Sequence, residues 1–316
     1  MRNCRVASSR ARLRLGLGDG DGDDARVLGG AFDDERDALE AATATRCATT
    51  GGAVISLRRF RVADGVELEP ARACETRGDD VACVGVACVR ETDEIVAAFA
   101  SGEFAATPRA RDANDDGCDV VGEIPCGVRA FAWCPDGETC AVMSAEGRVV
   151  IMTRDFYPVS ETRGDGGADD EDAANETTSG ATISWRGDGR YFACSSTNAK
   201  TGETTMRVWE REGARVESVG ETRTASSGTP ATLAAGDGTP ALAWQPRGAL
   251  IAAAARSEGD VSDRVVFYER NGLRRGDFVL PGEGAEITSL AWSADCLLYT
   301  SPSPRDATLS RMPSSA

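Results

Sequence analysis

The amino-acid sequence predicts an all-β protein built from repeated small sheets. Two observations support this prediction: a strand–turn–strand unit recurs along the chain, and its copies carry aromatic residues at matching places. The clearest copy spans residues 183–211, ISWRGDGRYFACSSTNAKTGETTMRVWER. Apolar and polar residues alternate in its short segments, and Gly-containing turns separate them, which is typical of strands and not of helices. This copy is the reference for the rest of the chain.

Each element of the reference copy has its own local signal. A first strand ends at Trp185, and Arg186–Gly189 supplies the Gly and Asp residues that favour a tight turn. Tyr191–Ser195 is predicted as the second strand, and Thr205–Trp209 alternates as the third. A polar, Gly-containing loop lies between these two strands, so the unit contains three short strands and two turns.

Six aromatic residues mark the copies. They are Trp133, Trp185, Trp244 and Trp292 at the end of the first strand, and Trp209 and Tyr268 on the third strand. The first-strand tryptophans are 52, 59 and 48 positions apart. Short strands repeated at this length indicate the blades of a β-propeller, in which each four-stranded sheet packs on its neighbours. Large aromatic residues at equivalent places bury area between sheets, so we interpret all six as structural blade positions.

The strand signal is weaker before residue 100. Val54–Leu57, Val81–Val89 and Glu94–Phe99 are predicted as strands of earlier, degenerate copies. The sequence therefore predicts an incomplete WD40-like β-propeller of about four to five blades and the start of another. We expect the excess over the usual repeat length to lie in two polar loops, 163–180 and 217–238.

The last copy departs from the pattern. After Asp295 it should continue with a second hydrophobic strand, but residues 296–316 are Ser/Pro-rich and show no such strand. We predict that residues 1–295 are the N-terminal part of a propeller. We expect residues 296–316 to be a non-homologous, disordered tail that resembles translated adapter sequence.

Composition limits the classes of partner and the cellular compartment. The net charge is −16, with 35 Lys and Arg residues against 51 Asp and Glu. Nucleic-acid backbones bind clustered cations, so we predict no nucleic-acid site in this chain. No stretch of about 20 apolar residues indicates a membrane span. Eleven cysteines without a secretion signal fit a reducing compartment, so we expect a soluble protein of the cytoplasm, or also of the nucleus.

Composition also argues against catalysis. The chain has no histidine, which removes the Ser-His-Asp and Cys-His nucleophile pairs and His-based zinc sites. Asp19, Asp21 and Asp23 suit the first ligands of a calcium loop, but Asp24 stands where the loop needs Gly. No cysteine pair has C-x-x-C spacing. We therefore predict no catalytic residue, no metal and no cofactor.

Several segments, taken in order, resemble one family. They are Met1–Asn3, Ser101–Glu103, Ala132–Asp136, Met152–Pro158, Trp185–Gly189, Arg207–Trp209, Leu242–Pro246 and Val266–Leu273. This ordered set resembles the N-terminal propeller of the largest subunit of the Elongator complex. The similarity runs from Met1 to Asp295 and is densest after Gly127.

The resemblance implies a non-catalytic scaffold. In that family the subunit carries two propellers and a helical part that dimerises, and it holds a radical-SAM acetyltransferase subunit and a second propeller subunit. The assembly modifies wobble uridines of tRNA, so the resemblance implies tRNA contact only through the complex. This chain departs from the family pattern because it ends within the first propeller, and the dimerising region is absent from it.

Two other functions stay open at this point. An unrelated propeller adaptor that binds proteins or peptides would have the same fold, because fold does not determine function. A propeller enzyme would need carboxylates that converge near the central channel, and the acidic residues here are dispersed through predicted loops.

Overall fold

The computed structural model describes most of the strand-forming part of the chain. The described residues are 26–33, 38–46, 53–61, 63, 66–68, 72–74, 82–89, 92–107, 118–163, 178–200, 204–213, 215–223, 231–232, 241–256, 261–281, 284–285, 287–292 and 298–302. They contain strands and turns but no helix, and hence no helix that could cross a membrane. The candidate calcium loop at 19–24 lies outside these residues.

The strands form six antiparallel sheets, which follow one another in chain order. Sheet 1 contains β1 (Arg26–Asp33), β2 (Ala38–Arg46), β3 (Ala53–Arg61) and β4 (Arg72–Cys74). Sheet 2 contains β5 (Cys83–Val89), β6 (Glu94–Phe99), β7 (Glu103–Ala106) and β8 (Asp119–Glu123). Sheet 3 contains β9 (Val128–Trp133), β10 (Thr139–Ser144), β11 (Arg148–Thr153) and β12 (Pro158–Arg163).

The remaining sheets vary in strand number. Sheet 4 contains β13 (Thr178–Trp185), β14 (Tyr191–Asn198), β15 (Thr204–Glu212) and β16 (Arg215–Arg223). Sheet 5 contains β17 (Ala231–Thr232), β18 (Leu242–Trp244), β19 (Leu250–Arg256), β20 (Arg264–Glu269) and β21 (Arg274–Val279), with β17 and β18 both paired to β19. Sheet 6 contains β22 (Ile287–Trp292) and β23 (Leu298–Pro302).

This architecture confirms the all-β propeller prediction. Five sheets of four or five strands precede a two-stranded sheet, which agrees with four to five blades and the start of another. The first strands of consecutive sheets lie against each other. The sheets therefore fan outward from a shared inner edge, as propeller blades do.

The fourth strand of each sheet was not part of the predicted unit. β12, β16 and β21 have the sequences PVSETR, RVESVGETR and RRGDFV, whose polar residues give no clear alternation. β21 is mostly exposed or half-buried, as expected for a strand at the outer edge of a sheet. The predicted loops are correspondingly too long: β12 and β13 extend into 163–180 at both ends, and β16 occupies 217–223.

The prediction that no strand follows Asp295 is wrong. β23 (Leu298–Pro302) pairs antiparallel with β22, with Leu298 opposite Trp292. Leu298, Tyr299 and Thr300 are residue types that favour strands, and the free edge of β22 gives them a backbone partner. The proposed origin of the tail as adapter sequence stays a prediction.

Five hydrophobic clusters lie between consecutive sheets. Their members include Ile55 and Phe99, Phe104 and Phe131, Ile151 and Phe192, Val208 and Ile251, and Val265 and Ile287. Each of these five pairs takes one residue from each of two neighbouring sheets. The core is therefore a series of interfaces between sheets and not one central cluster.

A β-bulge recurs at the same point in four sheets. The register shifts at Phe104/Ala105, Ile151/Met152, Val208/Trp209 and Phe267/Tyr268, always between the third and fourth strands. The residues opposite the first member of each pair are Gly122, Ser160, Gly220 and Gly276. The repeated unit thus includes a β-bulge, which bends the outer strand of each of these four sheets.

Two of the glycines at these bulges allow the next sheet to approach closely. A Cβ at Gly122 would lie 2.8 Å from the Phe156 Cβ of sheet 3. A Cβ at Gly220 would lie 2.5 Å from the carbonyl oxygen of Arg270 and 2.6 Å from the carbonyl carbon of Asn271, in sheet 5. The turn between the third and fourth strands of one sheet therefore packs on the bulge of the preceding sheet.

We predict that Gly220→Val lowers the free energy of unfolding by about 1–3 kcal/mol, because the backbone of residues 270–271 must shift. Urea unfolding followed by tryptophan fluorescence measures the change. Ser160→Ala at the equivalent place in sheet 3 is the control, with an expected change within about 0.5 kcal/mol. Equal effects of the two substitutions would contradict the close packing at Gly220.

Candidate interaction surface

The connections of sheets 3 to 5 form two opposite ends of the propeller. One end carries the turns between first and second strands, at 134–138, 186–190 and 245–249, and the turns between third and fourth strands, at 154–157 and 270–273. We call these five segments the turn face. The other end carries the connections between second and third strands, including Lys200. The polar contacts between sheets described below concentrate on the turn face.

The six predicted blade positions occupy two equivalent rows. The first row ends the first strands, and its members Trp133, Trp185, Trp244 and Trp292 pair with Cys140, Phe192, Ile251 and Leu298, respectively. The second row lies on the third strands, where Trp209 is opposite Phe192 and Tyr268 is opposite Ile251. Each of the six packs in the cluster shared with the preceding sheet. Trp185, Trp209, Trp244 and Tyr268 are buried, whereas Trp133 and Trp292 are half-buried.

The indole N–H groups make different bonds. Trp185 donates to the Ala132 carbonyl of sheet 3 at 3.1 Å, and Trp292 donates to the Ala243 carbonyl of sheet 5 at 3.0 Å. In both cases the acceptor precedes the tryptophan of the preceding sheet. The Trp244 indole instead donates within its own turn, to the Gly248 carbonyl at 3.3 Å. Trp185 and Trp292 therefore also fix the position of their sheet on the preceding one, in addition to the area that they bury.

An arginine recurs two positions after the third-strand markers Trp209 and Tyr268, and also after Met152, which holds the equivalent place in sheet 3. Arg154 follows Met152, Arg211 follows Trp209, and Arg270 follows Tyr268. At the end of the propeller that carries the turn face, Arg211 and Arg270 both reach the preceding sheet. These two side chains therefore cross the interface between sheets in the same direction.

Arg211 joins sheet 4 to sheet 3 through several groups. Its guanidinium pairs with Asp136, donates to Thr139 Oγ1 at 2.8 Å, and donates to the Gly189 carbonyl of its own sheet at 3.2 Å. The guanidinium carbon also lies 5.8 Å from the centre of the Trp185 ring. The Arg211 side chain is 15% exposed, so solvent screens these contacts only partly.

The Asp136 carboxyl is tuned by its surroundings. Burial alone would raise its pKa, but hydrogen bonds from the Glu138 amide and Cys134, together with the Arg211 charge, hold the pKa below its ordinary value of 3.8. The folded state therefore stabilises the deprotonated form of Asp136 more than the unfolded chain does.

Three arginines surround Tyr191. The guanidinium carbons of Arg186, Arg190 and Arg270 lie 4.2, 5.5 and 5.4 Å from the ring centre. The Tyr191 hydroxyl donates to Glu210 at 2.7 Å and accepts from Arg270 at 3.1 Å. These contacts hold the cations in place by ring and hydrogen-bond interactions.

The carboxylates of this cluster are already paired. Glu210 accepts from Tyr191 and Arg190, which lowers its pKa, and Asp188 accepts from Arg186, which lowers its pKa also. The hydrogen bond to Glu210 raises the Tyr191 pKa. Tyr191 therefore stays neutral at physiological pH.

An open groove lies beside this cluster, between sheets 4 and 5. It is lined by residues 186–188 and 246–249 and has a volume of about 640 Å³. The Gly187 amide donates to the Pro246 carbonyl at 3.0 Å, and this hydrogen bond joins the two turns that line the groove. Arg247 is exposed on the side of the groove that belongs to sheet 5.

Four cysteines, none of which belongs to a pair with C-x-x-C spacing, lie in strands and turns. Cys134 and Cys140 are buried, and Cys83 and Cys88 are half-buried. Burial raises the pKa of Cys83 to about 11 and that of Cys134 to about 12, and it also raises the pKa of Cys140. In the part of the chain that the structure describes, no three His, Cys, Asp or Glu side chains form a group that could hold a metal ion.

Sequence reasoning did not identify the turn face as a surface. The recurring arginine after each third-strand marker was visible as a periodic signal, but its contacts depend on how the sheets stack. Tyr157 and Leu273 were also missed. They occupy equivalent turns of sheets 3 and 5, and they are 71% and 62% exposed.

We predict that Arg211→Ala lowers the free energy of unfolding by about 1–2 kcal/mol at pH 7, because it leaves Asp136 without its cation. Urea unfolding measures the loss, and Arg190→Ala, which removes a 63% exposed side chain, is the matched control with a smaller expected effect.

The same substitution has a pH signature. Because the folded pKa of Asp136 is depressed, its stabilisation is complete above the unfolded value of 3.8 and is lost as the pH falls through the folded value. The penalty of Arg211→Ala should thus be constant from about pH 5 to 8 and shrink below about pH 4. A penalty that does not vary with pH would contradict the ion pair.

Comparison with solved structures supports the fold alone. The WD40 domain of Toxoplasma gondii coronin has a TM-score of 0.56 at 11% identity, covering 87% of this chain and 64% of that chain. A periplasmic gluconolactonase of Pseudomonas aeruginosa has a TM-score of 0.52 at 13% identity, covering 79% of this chain and 68% of that chain.

Curated relatives give a more specific result. Elongator complex protein 1 of Rattus norvegicus is 28% identical over 245 residues, which cover 67% of this chain and 17% of the relative. The Arabidopsis thaliana protein of the same name is 29% identical over 193 residues, covering 57% and 14%. The Saccharomyces cerevisiae protein is 26% identical over 276 residues, covering 65% and 19%. The chain thus spans less than a fifth of the length of these relatives.

A family model described as the ELP1 first N-terminal beta-propeller matches residues 65–181 and 165–301. The two matches overlap, and together they include sheets 2 to 5 and most of sheet 6. They cover well over half of the sequence, and the chain belongs to the family of ELP1 first N-terminal beta-propellers.

Proposed function

We propose that this chain is the N-terminal propeller region of a scaffold subunit of the Elongator complex. The observation that supports the proposal most strongly is the family match over 65–181 and 165–301. Relatives named Elongator complex protein 1 in a mammal, a plant and a yeast agree with it. The role is non-catalytic: the region holds an acetyltransferase subunit and a second propeller subunit, and it supports modification of wobble uridines in tRNA.

The described geometry is compatible with a scaffold. The contacts that recur on the turn face join one sheet to the next, as Arg211 does with Asp136 and Arg270 with Tyr191. A stack held together in this way presents its turns to a partner in a fixed arrangement. We propose that the protein works in the cytoplasm, or also in the nucleus, and that it contacts tRNA only through the assembly.

Affinity purification of the full-length protein that contains this chain tests the proposal. We expect the acetyltransferase subunit and the second propeller subunit to co-purify in stoichiometric amounts, and we expect cells that lack the protein to lose modified wobble uridines. Loss of the protein with unchanged wobble-uridine modification, together with a different set of co-purifying proteins, would favour an unrelated propeller adaptor.

A further inference from the structure

The turn face contains a concentration of positive charge that contrasts with the rest of the protein. Arg186, Arg190, Arg247 and Arg270 lie on or beside the groove between sheets 4 and 5. The chain as a whole has 51 acidic residues against 35 basic ones. At this place guanidinium groups outnumber carboxylates, whereas in the whole chain acidic residues outnumber basic ones. We call these four residues the arginine cluster.

The carboxylates within reach do not neutralise the arginine cluster. Asp188 pairs with Arg186, and Glu210 pairs with Arg190. Arg270 bonds to the neutral Tyr191 hydroxyl, and Arg247 has no described carboxylate partner. The Glu212 carboxylate also acts on the charge of Arg190. Four guanidinium groups thus face three carboxylates, and Arg247 is left to pair with an anion from outside the chain.

Three of the four arginines, Arg186, Arg190 and Arg270, are also held in place before any ligand binds. Arg186 and Arg270 stack near the Tyr191 ring, whose residue is 4% exposed, and Tyr191 in turn bonds to Glu210. Positioned guanidinium groups lose less conformational entropy on binding than free surface lysines do. The groove beside them has a volume of about 640 Å³, which lies within the range of about 300–1,000 Å³ typical of ligand sites.

We propose that this groove binds a short acidic peptide segment of a partner protein, whose carboxylates pair with Arg247 and Arg186. Carboxylates match the planar donors of arginine, and a short segment carries few enough charges to approach a chain of net charge −16.

A nucleic-acid strand fits the groove less well for two reasons. A strand extends beyond the groove, and the overall negative charge of the protein repels the phosphates that lie outside it. The aromatic ring on which a base would stack, that of Tyr191, is buried and has arginine guanidinium groups beside it. The acidic-peptide assignment is independent of membership in the assembly proposed above.

Fluorescence anisotropy with a labelled hexaglutamate peptide and the full-length protein tests the proposal. We expect saturable binding that weakens as salt is added. Arg247→Glu should raise Kd at least about tenfold, because it removes a cation and adds a repelling carboxylate, whereas Arg247→Lys should retain part of the affinity. Arg247 makes no described side-chain contact, and the thermal unfolding curves of both variants check that they fold.

Lys200→Glu is the matched control, because it makes the same charge change in sheet 4 at the end opposite the turn face. We expect it to change Kd by less than about twofold. Equal losses in Arg247→Glu and Lys200→Glu, or no hexaglutamate binding at all, would overturn the proposal. Tighter binding of a six-nucleotide single-stranded RNA that is lost in Arg247→Glu would also overturn it, and would assign the groove to nucleic acid.

Discussion

Sheets 2 to 5 are apolar on both faces, and this constraint determines the rest of the structure. Along β14, Tyr191 and Ala193 belong to the cluster shared with sheet 5, whereas Phe192 and Cys194 belong to the cluster shared with sheet 3. Since side chains alternate along a strand, a single sheet exposes one apolar set unless a neighbour covers it. Sheets of this kind are stable only as a stack, and their order in the chain becomes their order in space.

The stacking constraint explains details that have no local cause. A slip of one residue in β14 would exchange the side chains that face sheets 3 and 5, so the register is strongly specified. The bulge opposite Gly220 bends the outer strand, and the missing side chain lets residues 270–271 of the next sheet approach. Arg211 then crosses the interface to Asp136 on the turn face. The candidate interaction surface is thus a product of the same interfaces that hold the core.

How much the sequence could predict depends on burial. The inner strands were predictable because their apolar residues recur in short segments, and because the first strands end at a tryptophan that a turn follows. The outer strands were not, because β12 and β21 face solvent and carry mixed polar residues. β1 and β2 were missed because RVLGGAFD and ALEAATATR are rich in Gly and Ala, which have low strand preference.

The candidate site was less predictable than the fold. Arginines two positions after each third-strand marker form a visible period, but a period does not show whether they contact solvent, a carboxylate or a ring. The arginine cluster arises only when Arg270 of sheet 5 meets Tyr191 of sheet 4, 79 positions away in the chain. Contacts of this kind depend on tertiary packing, which local pattern does not encode.

Consecutive repeats form consecutive sheets in direct contact, and hydrogen exchange at one amide tests this contact most directly. The Gly187 amide lies in an exposed turn, yet it donates across the interface to the Pro246 carbonyl at 3.0 Å. The neighbouring Arg186 amide donates within its own sheet, to the Tyr191 carbonyl at 2.8 Å. We predict that both amides exchange at least about 100-fold more slowly than in an unstructured peptide. Protection at Arg186 with unprotected exchange at Gly187 would show that sheet 4 forms without docking on sheet 5, and would contradict the account.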